Sequence, residues 1–112
     1  MLMSEKYVVS AVAGGLSLPA DDIRYALSKM GDILSKKKLH LKVGVMHLVL
    51  QMDEGDLTTA RAIAEKLKPM IRNSSGATVM SVAGIFRLLV KWGYLQRTTV
   101  KSVVHYRRLP DV

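Results

Sequence analysis

The sequence predicts a mainly α-helical domain closed by a small β-hairpin, an α+β fold, on three observations. Large apolar residues recur at helical spacing in two stretches: Ile23, Leu27, Met30 and Leu34 at i, i+4, i+7 and i+11, and Val82, Phe86 and Leu89 at i, i+4 and i+7. From Tyr94 onward two short runs turn to aromatic and β-branched residues, the composition of strands. The chain has 112 residues, enough for one domain with a modest core.

Residues 1–18 are apolar and leave two readings open, because Val8, Val9 and Val12 favour a strand while Ala11 and Ala13 suit a helix. Gly14-Gly15 lacks a following Gly-Lys-Ser/Thr, so it marks a bend and not a phosphate loop. Leu18-Pro19-Ala20-Asp21-Asp22 reads as a helix start, with proline in the first turn and two carboxylates near the positive end of the dipole. The stripe from Ile23 to Leu34 carries this helix to about residue 35, and Gly31 weakens it slightly. Lys36-Lys37-Lys38 then places cations at its negative end, as a solvated terminus or as a phosphate clamp.

In residues 39–52 the apolar side chains spread around the whole helical wheel, as in a buried helix. Asp53-Glu54-Gly55-Asp56 is a polar turn, and Ala60, Ile63, Ala64 and Leu67 define a further helix over 59–67. Residues 68–77 connect it to the last helix, either with a short strand around Ile71 or with the two helices splayed apart. Ser74, Ser75 and Thr78 are candidate N-caps and equally candidate phosphate donors. The last helix spans 79–92, and opposite its apolar stripe it keeps Ser81, Gly84, Arg87 and Lys91, a small, hydroxylic and cationic face. Gly93 stands where a left-handed residue ends a helix. Residues 94–97 and 103–107 form the hairpin, separated by Thr98-Thr99-Val100-Lys101-Ser102, and with no Asn-Gly the turn type stays open.

The net charge is +8, and its distribution says more than its size. Between Lys66 and Leu109 lie nine basic residues and no Asp or Glu, while four acidic residues stand just before, between Asp53 and Glu65. One-sign segregation over such a stretch is a footprint of nucleic-acid binding. There is no cysteine, which removes disulfides and thiolate chemistry and suits a reducing cytoplasm. No run is apolar enough for a membrane span, and the apolar start is too short for a secretory segment.

Catalysis has no motif to stand on: no serine motif, carboxylate pair or nucleotide loop appears. His40, His47 and His105 lack metal-ligand spacing, so neither metal nor cofactor is expected. Trp92 and Tyr106 read as core rather than as stacking platforms.

Val82, Phe86, Leu89, Gly93, Tyr94, Leu95 and Arg97, closed by Tyr106-Arg107-Arg108-Leu109, resemble the recognition helix and wing of winged helix-turn-helix DNA-binding domains. Residues 58–67 resemble that family's second helix, so the likeness covers about 41–109. It departs at 68–77, where three or four residues are usual. The resemblance implies a winged helix-turn-helix over 39–112, preceded over 1–38 by an apolar segment and an extra helix. It also implies a homodimer through the stripe Ile23, Leu27, Met30 and Leu34, which could equally pack on its own domain. The expected ligand is double-stranded DNA, read by a small transcription regulator or a plasmid or viral segregation-type adaptor in the cytoplasm, associated with the nucleoid. Ser74, Ser75, Thr78, Ser81, Gly84, Arg87 and Lys91 would contact bases and phosphates, with Arg97 and Lys101 on the wing tracking the backbone. The other expectation is a protein-interaction module whose basic face binds an acidic partner.

Overall fold

The computed structural model describes residues 5–31, 37–72 and 78–111. Among the described residues, five α-helices and a three-stranded antiparallel sheet follow one another as α1 (Glu5–Ala13), α2 (Ala20–Lys29), α3 (Leu39–Leu50), β1 (Leu57–Thr58), α4 (Ala60–Leu67), α5 (Val79–Lys91), β2 (Leu95–Val100) and β3 (Val103–Arg108). The fold is α+β, as composition and periodicity predict. Among the described residues no helix is long and apolar enough to cross a membrane.

Helix α3 is the centre of the packing. It is apolar around its whole circumference, and Leu41, Val43, Val45, Met46 and Val49 are all buried, as a helix without a polar face must be. Around it the other helices supply one stripe each: Val9 and Val12 from α1, Ile23 and Ala26 from α2, Ile63, Ala64 and Leu67 from α4, and Val82, Ile85, Phe86 and Leu89 from α5. The undecided segment at the start is therefore a helix. Burial of Val9 and Val12 against the core outweighs the small propensity penalty of β-branched residues in a helix.

The sheet order is β1-β3-β2, with Leu57 opposite Arg107 and Arg97 opposite Tyr106. The strand β1 has only two residues, too few for a sequence signal. The hairpin is longer than expected, because its turn is just Lys101-Ser102, both at positive φ (49° and 67°), which is the requirement of a type I′ turn. Beyond α4 a single 3-10 turn, Lys68–Met70, leads to Ile71, which forms an isolated β-bridge with Leu16. The strand expected near Ile71 is thus one bridge, tied further by the Arg72 Nε donating to the Ala13 carbonyl at 3.0 Å.

Two expectations about α2 are corrected. The helix stops at Lys29, with Met30 extended (ψ 142°), rather than continuing to residue 35. Its end is set by α5 and the hairpin: the Tyr94 hydroxyl donates to the Lys29 carbonyl at 2.6 Å, and a Cβ on Gly31 would lie 2.3 Å from the Trp92 indole nitrogen. Only a glycine passes that surface.

The stripe assigned to dimerisation is also not a free surface. Ile23 is 0% exposed, and Leu27 and Met30 pack partly buried against the same core. The stripe serves the chain's own packing, and Leu34 lies outside the described residues.

Candidate functional site

The site is built on α5, whose two ends are fixed by local chemistry. At its start the Thr78 hydroxyl accepts the Ser81 backbone N–H at 3.1 Å and donates to Ser81 Oγ at 2.9 Å, an N-cap. At its end Gly93 has φ +89°, its N–H reaches the Val90 carbonyl at 3.1 Å, and the Tyr94 N–H reaches the Leu89 carbonyl at 2.9 Å. That pair of bonds is a Schellman motif, which needs the left-handed residue that glycine supplies.

With Phe86 and Leu89 turned inward, the residues at i, i+4, i+7 and i+11 of the opposite side are Met80, Gly84, Arg87 and Lys91, and all four are exposed. Ser81 lies beside this stripe and is half-buried. Met80 is 85% exposed, more than any other large apolar side chain among the described residues. Gly84 sits in mid-helix, and a Cβ built there meets nothing within 4 Å. Glycine in a helix interior is destabilising by roughly 0.5–1 kcal/mol relative to alanine, and no contact among the described residues calls for it here.

A groove runs along each flank of the stripe. On the hairpin side a groove of about 450 Å³ is lined by Ala83, Arg87, Val90, Arg97, Val104 and Tyr106, with Ala60 at its end. Tyr106 is 7% exposed and holds the groove floor by an edge-on contact with Phe86, ring centroids 4.6 Å apart. On the other side a cleft of about 360 Å³ lies between α5 and the start of α3, lined by Lys37, Lys38, Lys42, Met80, Ser81 and Gly84. These lysines do not close α2. Lys38 is the N-cap residue of α3, left-handed at φ 56°, and no acidic residue lies in the first turn. Cations at the positive end of a helix dipole are placed against the local field.

The nine cations of residues 66–109 sort into several roles. Arg72 caps α1 through Ala13, Lys68 pairs with Glu65 at 3.3 Å, and Arg108 is 4% exposed. The Arg108 guanidinium pairs with Asp111 at 2.7 Å and lies over the Tyr94 ring at 5.5 Å. Arg107 donates to the Gly55 carbonyl at 3.3 Å. It alternates with Tyr106 along β3 and so leaves the sheet on the face away from α5. Lys66 stands exposed on α4. Arg87, Lys91, Arg97 and Lys101 are exposed and make no ion pair with any described residue.

Of the residues expected to bind, the structure brings Ser81, Gly84, Arg87 and Lys91 onto or beside one face and sets Arg97 across the groove, with Lys101 at the tip of the hairpin. Thr78 uses its hydroxyl in the cap, whereas Ser81 Oγ, an acceptor there, keeps its own proton for a further acceptor. Ser74 and Ser75 lie outside the described residues. Sequence reasoning missed Met80 and Lys42 as members of the site, and it weighed Lys37 and Lys38 as a helix terminus or a phosphate clamp without setting them beside α5. Met80 was legible in the i, i+4, i+7, i+11 spacing it shares with Gly84, Arg87 and Lys91. The lysines were not, because their meeting with α5 is made by packing alone. Chemically, the arrangement offers a flat, glycine-floored ridge with cationic donors on both banks and suits an extended polyanion that presents two rows of charge. Among known proteins, no family model, no curated protein and no solved structure matches the chain.

Proposed function

We propose that the chain is a winged helix-turn-helix domain that binds duplex DNA, with α5 in the major groove. Three features support the reading: the order α3-β1-α4-α5-β2-β3 with β1 on β3, the basic residues on both flanks of α5, and the exposed glycine at its middle. The glycine carries the argument. An unpacked Gly84 lowers helix stability with no return among the described residues, and a partner that comes close to the α5 backbone accounts for its place. A major groove admits one α-helix and sets a phosphate row on each side of it. Arg97 and Lys101 then serve one row, and Lys37, Lys38 and Lys42 the other.

The test is Gly84→Gln, read for stability and for affinity together. Glutamine is the better helix former, so thermal unfolding should move up by about 4 °C, while affinity for random duplex at low salt falls. The wild type should lose affinity steeply with salt. Removing Arg97 and Lys101 should lower the slope of log K against log salt by nearly one for each phosphate they neutralise, with the same expected for Lys38 and Lys42. If Gly84→Gln is stabilised and binds duplex as the wild type does, or if the wild type binds no duplex, the reading fails and the basic face belongs to an acidic protein partner.

A further inference from the structure

Building on the duplex-DNA reading, we infer that Met80 reads the 5-methyl group of thymine, and that the preferred duplex carries this thymine about three base pairs from a guanine contacted by Arg87. Met80 lies on the axis of the stripe and not at its margin, sharing the i, i+4, i+7 spacing with Gly84 and Arg87. Its side chain is 85% exposed, so the core of the protein does not account for a large apolar group in the middle of a cationic face. On the edge of the major groove the base pairs present hydrogen-bond donors and acceptors together with one apolar group, the thymine methyl. A flexible, polarizable thioether fits such a group without demanding one fixed geometry.

The spacing follows from the helix. Met80 and Arg87 are seven residues apart, which is about 10 Å along the axis at 1.5 Å per residue. At about 3.4 Å per base pair this is three steps. Gly84, with open space where its Cβ would be, lets the intervening base edges approach the backbone. The same chemistry excludes duplex RNA, whose deep, narrow major groove keeps side chains out and whose uracil lacks the methyl.

The experiment begins with selection of preferred sites from random duplex, followed by fluorescence-anisotropy titrations of wild type, Met80→Ala and Arg87→Ala on the selected duplex. Each thymine is replaced in turn by deoxyuridine, and each guanine by 7-deazaguanine, which lacks the N7 acceptor. One deoxyuridine should weaken the wild type roughly fourfold, the worth of one buried methyl, and should leave Met80→Ala unaffected. The 7-deazaguanine to which Arg87→Ala is indifferent should lie about three base pairs away. Circular dichroism should show both variants folded, since both side chains are exposed. Binding by the wild type with indifference to every deoxyuridine, or a deoxyuridine penalty that persists in Met80→Ala, overturns this inference while the DNA reading stands. Absence of wild-type binding to any duplex overturns both.

Discussion

His40, in the first turn of α3, has its ring against Gly15, where a Cβ would come within 3.1 Å of Cγ. Burial first, and the charge of Lys38 second, hold its pKa below the ordinary imidazole value of 6.5. The folded chain therefore binds this proton less readily than the unfolded chain. Stability should be level above about pH 6.5 and fall as pH drops from there through the lowered folded value. Urea midpoints at pH 7 and pH 5 should show a loss in wild type that is smaller in His40→Gln. A phosphate neutralising Lys38 should raise the His40 pKa, a shift that NMR titration with and without duplex can read. At this scale the local signals were legible in the sequence: Thr78 as a cap, Gly93 as a stop, and Val82, Phe86 and Leu89 as the buried side of α5. The convergence of Lys38 and Lys42 with Gly84 was not, because some forty residues separate them along the chain and no periodicity spans a tertiary contact.

Among the elements, the hairpin shows how a turn can favour placement over stability. Lys101 and Ser102 both adopt positive φ, which is unfavourable by roughly 1 kcal/mol or more for each residue bearing a Cβ. Replacing them together with Asn-Gly, the pair preferred in such turns, should raise the unfolding temperature by several degrees and lower the salt slope of duplex binding by about one unit, since the cation at the tip is removed. An unchanged unfolding temperature would show that the strained turn carries no such cost. Helix α2 marks the limit of periodicity as evidence. Its apolar spacing continues past Lys29 in the sequence, yet its stop is imposed by Tyr94 and Trp92 from the far end of the chain. The two-residue β1 escaped notice for the opposite reason, being defined only by its partner β3.

The molecule as a whole has one continuous core, and residues from α1 and α2 belong to it as fully as those from α3 to β3. Ile23→Ala should therefore be destabilising by about 2–5 kcal/mol, the range for an isoleucine truncated in a packed interior, with no change in molar mass by light scattering. A change of mass without loss of stability would restore the stripe as a subunit interface.

The sheet order adds a constraint in time. The strand made last occupies the middle position, and β1 and β2 share no edge with each other. While the ribosome has yet to deliver residues 103–108, neither earlier strand has a partner, and the wall of the hairpin-side groove formed by Val104 and Tyr106 does not exist. A nascent chain can thus complete α5 well before the groove beside it exists. The bank on the hairpin side comes into being in one late step, so a chain halted short of Val103 carries α5 with that flank open.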